Sequence, residues 1–139
     1  MRYSIRYKDN NFLTPTTYTQ EISEYAEGLK YEDLPAEVVE RAKLILLQTI
    51  GVALAAKDTP IAAKVMKMAL ESNNGEGGPS TVWGTGKKLS ALNASLVLGT
   101  LADLLDWEDC SWTGHPSAGV IPCAWLAAEE KHKIGRAHV

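Results

Sequence analysis

The sequence predicts an all-α chain, and three observations carry that expectation. Apolar residues recur three and four positions apart over several successive stretches. Cap-and-proline signals stand in front of two of those stretches. No alternation of apolar and polar residues runs long enough to build a sheet, and the chain holds no internal repeat.

Residues 1–17 mix charges with Asn10-Asn11 and Thr14-Pro15-Thr16-Thr17 without a period, and read as a loosely held arm. The helical domain proper is expected over 18–132. Ile22, Tyr25, Ala26 and Leu29 mark one face of a first helix, with Glu21 near the positive end of its dipole. Before the second helix, Asp33 is the expected N-cap, with Leu34 over its neck and Pro35 in a first turn that needs no N–H there. Val38, Val39, Ala42, Ile45, Leu46, Thr49, Val52, Ala53 and Ala56 continue one apolar stripe, and Gly51 within it is expected to admit a neighbouring helix closely. Asp58, Thr59 and Pro60 repeat the cap-then-proline signal before Ala62, Val65, Met66 and Ala69. Glu76 to Ser80 is a Gly/Pro-rich loop, Thr81-Val82-Trp83 a short extended piece, and Gly84-Thr85-Gly86 another loop. Ser90 is the expected cap of a fourth helix, with Leu92, Leu96 and Gly99 along one side and Leu101, Leu104 and Leu105 beyond. A last helix opens at Ser117 and tolerates Pro122 near its beginning.

The composition, 45% hydrophobic and 22% charged with a formal net charge of −3, belongs to an ordinary globular domain. Both signs of charge are spread along the chain, so no basic face offers itself to nucleic acid. The longest apolar stretch, Leu44 to Ala56, is broken by Gln48 and Thr49 and falls short of the roughly 18–20 residues of a membrane span. The N-terminus has basic residues but no apolar core of a secretion signal. Cys110 and Cys123 form neither a CxxC pair nor a disulfide framework. Reduced thiols and a cytoplasmic location are the expectation.

At the other end, Lys133 to Val139 is the heptapeptide encoded by AAG ATC GGA AGA GCA CAC GTC, the start of a widely used sequencing adapter. The alternative is a natural loop. On the adapter reading, residues 133–139 stand outside the fold, the natural protein continues, and His138 has no chemical role.

Chemistry concentrates between Asp106 and Ser117. That segment holds three carboxylates, a thiol, hydroxyls, Trp107, Trp112 and His115. Apolar and aromatic surroundings penalise a charged carboxylate, and an imidazole among acids suits general acid–base work. Spacing alone leaves a second account equally open: Asp106 and Asp109 can simply cap and close a turn. A single histidine without HxxxH or HxH spacing argues against a metal. Cys110 with His115 is an unspecific nucleophile pair. Gly86-Lys87 fails as a phosphate loop, because Thr81 stands where the leading glycine belongs and Lys88 follows the lysine. Asn93-Ala94-Ser95 is a glycosylation sequon only if the chain is secreted.

Taken in order, four stretches resemble the MmgE/PrpD family, which includes 2-methylcitrate dehydratase and cis-aconitate decarboxylase. They are Tyr31 to Pro35 with the helix Glu37 to Gly51, Ser80 to Leu89, Asn93-Ala94-Ser95 with Gly99-Thr100, and Asp106 to Pro122. Each motif is modest alone, but their order and spacing make the resemblance specific, over roughly Thr19 to Lys131. The resemblance implies a helical domain facing a smaller α+β lid, with the active site between them. It also implies small di- or tricarboxylate substrates, no metal or organic cofactor, and a homodimer when full length. The family pattern D-x-D-D-T followed by H-P-S falls on Asp106, Glu108, Asp109, Cys110 and His115 to Ser117. Cys110 stands where threonine is usual, and the loop is one residue shorter than in the decarboxylase, so that particular activity does not transfer directly.

The chemistry so implied is proton transfer at a carbon next to a carboxylate, as in a dehydratase, a decarboxylase or an epimerase. His115 is the expected proton carrier, with Asp106 orienting it or sharing the proton. Asp109, Cys110, Ser117, Lys87 and Lys88 are the expected substrate-binding residues. The competing expectation is a stand-alone helical interaction domain without catalysis.

Overall fold

The computed structural model describes residues 17–72, 77–111 and 114–132. Of the arm expected over 1–17, residues 1–16 lie outside the described residues, as does the segment 133–139, while Thr17 is described. Two units divide the chain, one ending at Leu34 and the other beginning at Pro35.

In the first unit, helix α1 (Tyr18–Gly28) starts where Thr17 turns its hydroxyl to accept from the Gln20 amide at 3.2 Å. Its expected apolar face is exposed, with Ile22 at 67% and Tyr25 at 69%. A 3-10 turn, Tyr31–Asp33, follows. Asp33 was expected to cap the next helix but instead closes this turn, its carboxylate accepting from the Lys30 amide at 3.4 Å.

The second unit opens on helix α2 (Ala36–Ala56), which has no side-chain cap. Pro35, which has no N–H to leave unsatisfied, precedes it, and its carbonyl accepts from the amides of Val38 and Val39. Burial is confined to the second half of α2, at Thr49, Val52, Ala53 and Ala56, while Val38, Leu44 and Leu47 stay exposed. The buried Thr49 hydroxyl is satisfied by donating to the Ile45 carbonyl at 2.9 Å. Helix α3 (Pro60–Ser72) begins as expected at a threonine cap. Thr59 accepts from the Ala62 amide at 3.2 Å and donates to the Ala56 carbonyl at 2.8 Å, tying the end of α2 to the start of α3.

The extended piece at Thr81 is one arm of an antiparallel hairpin, β1 (Ser80–Val82) with β2 (Lys87–Leu89), in the register Ser80↔Leu89, Thr81↔Lys88, Val82↔Lys87. Such short strands leave too little alternation for a sequence pattern to register. Gly84 takes φ +69 in the turn, and Leu54 of α2 packs where a Cβ would stand, so a larger residue there is strained and must displace the leucine. The hairpin is tied to the last turn of helix α5 (Pro116–Glu130): Glu129 accepts from the Thr81 amide at 2.9 Å and from its hydroxyl at 2.5 Å. Trp83 meets Trp125 edge to face at 5.8 Å, adding aromatic contact to the same seam.

Helix α4 (Ala91–Asp103), capped by Ser90 as expected, is the element that α2, α3, α5 and both strands all pack against. Its buried face is Ala94, Val97, Leu98, Leu101 and Ala102. The expected stripe through Leu92 and Leu96 is therefore rotated off the core, and those two side chains are 79% and 46% exposed. At the crossing with α5, a Cβ on Gly99 would lie 3.4 Å from the Ala118 carbonyl. Pro122, four residues beyond Ala118, has no N–H to offer that carbonyl, so the helix gives up one internal bond at this contact. Gly51 was expected to admit a helix, but a Cβ there meets nothing within 4 Å.

Two stability changes follow, each measurable by chemical denaturation followed by circular dichroism. Gly51→Ala is expected to stabilise the chain by about 0.5–1 kcal/mol, since it removes backbone entropy at an open helical position. Leu101→Ala, which empties a fully buried site on α4, is expected to cost about 2–5 kcal/mol.

Candidate active site

Helix α4 ends at Asp103, and the chain then turns sharply. The Asp106 amide donates to the Asp103 carbonyl at 3.2 Å, and Asp106 takes φ 55, a left-handed conformation that aspartate tolerates better than most side chains. Three ties hold the following loop. Gln48 of α2 donates to the Trp107 carbonyl at 2.6 Å. Ser111 and Gly114 exchange backbone hydrogen bonds. The Asp109 carboxylate accepts from the Ser117 amide at 3.2 Å in the first turn of α5. Asp109 thus closes the loop onto a helix N-terminus, where an anion is favoured. His115 sits immediately before that helix, followed by Pro116 at its first position.

The result is one imidazole between two carboxylates. His115 Nε2 lies 3.4 Å from Asp106 Oδ1, and His115 Nδ1 lies 2.9 Å from Glu108 Oε1. The two acids differ in setting: the Asp106 side chain is 83% exposed, that of Glu108 0%, and the ring itself 32%. The 2.9 Å approach lacks hydrogen-bond alignment. Glu108 Oε1, Glu108 Oε2 and His115 Nδ1 are all buried without a hydrogen-bond partner among the described residues. When the ring is protonated the contact is an ion pair; a directed hydrogen bond it is not. Asp103 completes the group, offering a carboxylate oxygen within 4.8 Å of ligand atoms on Glu108 and His115.

The other expected site residues fall differently. Ser117 is buried with its hydroxyl unpartnered among the described residues, and Cys110 is exposed. Lys87 and Lys88 are not brought to the cluster. They stand exposed on β2, whose partner strand is bound to Glu129, and α5 separates that end from His115 by about 20 Å at 1.5 Å per residue. Trp107, expected to wall the acids from water, is 66% exposed, because its backbone rather than its indole is what α2 holds. Trp112 lies outside the described residues. Two cluster members were not singled out as site residues. Asp103 lies outside the dense segment, though an acid within Leu101-Ala102-Asp103-Leu104-Leu105 is a detectable signal. Glu108 was matched to the family pattern, but its burial has no signature in its neighbours.

Residues 20–139 match the MmgE/PrpD N-terminal domain. Cis-aconitate decarboxylase of Mus musculus is 30% identical over 120 residues, covering 84% of this chain and 24% of the relative. Cis-aconitate decarboxylase of Aspergillus terreus is 26% identical over 120 residues, with 85% and 24% covered. The cis-aconitate decarboxylase-like protein oryM of Aspergillus oryzae is 27% identical over 123 residues, with 87% and 25% covered. The chain spans about a quarter of the length of these curated relatives. Since the family match takes in four of the five α-helices among the described residues whole and every residue of the acid–imidazole cluster, the chain belongs to the MmgE/PrpD family.

Proposed function

We propose that this chain is the N-terminal part of a lyase or isomerase that moves a proton at a carbon next to a carboxylate in a small di- or tricarboxylate. The observation that carries the reading is the placement of His115, with Nε2 facing Asp106 on the open side and Nδ1 facing buried Glu108. An imidazole held between two acids can pass a proton to or from a substrate on its accessible edge, while a carboxylate beside it steadies the ring and shares the charge. In the proposed step, His115 carries the proton and Asp106 orients it or relays the proton onward. Asp109 contributes by fixing the loop to α5. Cys110 and Ser117, which flank His115 in the chain, are the nearest of the proposed substrate contacts in sequence.

The relatives' names supply the substrate class: cis-aconitate is a tricarboxylate. Cys110 replaces the family's threonine, so a dehydratase acting on a 2-methylcitrate-like acid fits as well as a decarboxylase. The rest of the site, including groups that neutralise the substrate's carboxylates, is assigned to sequence beyond this chain, and a homodimer is the proposed assembly. No helix among the described residues is long and apolar enough to cross a membrane. Two free cysteines fit the proposed cytoplasmic setting.

The test is turnover of 2-methylcitrate and cis-aconitate by the protein extended to its relatives' length, beside its His115→Ala variant. Removal of a general acid–base group is expected to lower kcat by about 10²–10⁴-fold. Equal turnover by the two proteins would remove His115 from the reaction.

A further inference from the structure

Two carboxylates stand beside His115, and their settings give them different parts. We infer that Glu108 is the positioning residue: it keeps a proton on His115 Nδ1, so that Nε2 is the nitrogen that gives and takes protons. The orienting role then belongs to Glu108, and Asp106 is left with the relay. Its bearing on catalysis rests on the proposed reaction at His115, but the state of the ring does not.

The contact itself sets the first constraint. Glu108 Oε1 lies 2.9 Å from His115 Nδ1, and both atoms are buried. An ionised carboxylate presents only lone pairs, and a bare imidazole nitrogen is an acceptor as well. Two acceptors at that distance repel, and burial denies them the water that would separate them. No other hydrogen-bond donor reaches either atom among the described residues. Asp103, at the end of α4, offers a carboxylate oxygen within 4.8 Å of ligand atoms on both side chains, and so adds negative charge rather than a proton. A proton therefore stands between Glu108 and Nδ1. Imperfect alignment weakens the hydrogen bond but does not remove the repulsion that a missing proton would leave. The ring with its only proton on Nε2, against an ionised Glu108, is the arrangement this contact penalises.

Burial then decides which acid can orient the ring. The Glu108 side chain is 0% exposed and stands between two ties, from Gln48 to the Trp107 carbonyl and from the Ser117 amide to the Asp109 carboxylate. The Asp106 side chain is 83% exposed and lies 3.4 Å from Nε2, where water and salt screen its charge. A carboxylate free to leave the ring fixes it poorly but is suited to passing a proton onward. With Nδ1 occupied, the ring is neutral when Nε2 is bare and cationic when Nε2 holds a proton. Both states keep Nδ1–H against Glu108, so one proton leaves or arrives at Nε2 without a ring flip.

The experiment reads the 139-residue chain, isotope-labelled in its histidine rings, by NMR without substrate. The His115 signals are those lost in His115→Ala. At a pH where the ring is neutral its proton is expected on Nδ1, the reverse of the tautomer that histidine prefers in water. Glu108→Gln replaces a pure acceptor by an amide that also donates, and is expected to move the ring toward Nε2–H. Glu108→Asp, which keeps a carboxylate, and Asp106→Asn are both expected to keep Nδ1–H. A wild-type ring resting on Nε2–H overturns the assignment, as does a folded Glu108→Gln variant that keeps Nδ1–H. The wild-type spectrum decides alone if Glu108→Gln does not fold. In the protein extended to its relatives' length, Glu108→Gln is expected to lower kcat by about 10²–10⁴-fold with KM little changed. Unchanged kcat there overturns the positioning role. An Nε2–H ring counts against Glu108 alone, whereas equal turnover by His115→Ala counts against the proposed reaction.

Discussion

The direct packing of α5 on α4 decides where the chemistry of this chain gathers. Gly99 lets α4 come against the Ala118 carbonyl, which Pro122 leaves without its helical donor. Because the two helices are joined by the loop from Leu104 to His115, that contact keeps the last residue of α4 and the first turn of α5 at one end of the pair. Asp103 and His115 are therefore neighbours through helix packing, twelve residues apart in sequence. The loop between them has nowhere to go but across that end, and its acids are carried there with it. A wider crossing would part the two helix ends and take the cluster apart without changing any of its residues.

Within that frame the loop is held by its backbone more than by its side chains. Gln48 binds the Trp107 carbonyl, Asp109 binds the Ser117 amide, and Ser111 binds Gly114. Fixing the main chain at three points is what allows Glu108, between two of them, to be turned inward against the His115 ring. Asp106 and Asp109, alike in sequence, part company here. One takes a left-handed turn and leaves its carboxylate free beside the imidazole; the other becomes a structural tie at a helix N-terminus. The turn-closing account that spacing left open is thus realised in Asp109, while Asp106 stands beside the imidazole.

What the sequence made legible was local. Thr59 and Ser90 cap their helices because a short hydroxyl side chain reaches the amide three residues on, whatever surrounds it. What it hid depends on partners distant in the chain. Helix α4 is apolar nearly all round, so periodicity identifies the helix but cannot choose its buried side, and the choice of Ala94, Val97 and Leu101 over Leu92 and Leu96 is made by α2, α3 and α5. Gly51 looked like a contact point because glycine lowers helix propensity, yet nothing approaches it. Asp33 has the right identity for a cap, but the 3-10 turn claims it first. The candidate site followed the same division: the Asp106–His115 pairing was readable from a compact motif, while Asp103 and the burial of Glu108 required the fold.

The cluster's charge sets a further constraint. Asp103, Asp106 and Glu108 surround one imidazole, and a substrate carrying two or three carboxylates would approach a region already rich in negative charge. Like charges a few ångströms apart repel by about 1 kcal/mol even at the dielectric of water, and by more where water is excluded. Lys87 and Lys88, the expected anion contacts, stand at the opposite end of α5 and are screened at that distance. On the proposed function, an acid binds here only if positive charge arrives from elsewhere, through side chains from the part of the relatives' length that this chain does not span. Proton transfer places the same demand, since a carbanion forming next to a carboxylate adds negative charge that the site must oppose. On the proposed reaction the acids steer His115, and the counter-charge they call for must be brought to them.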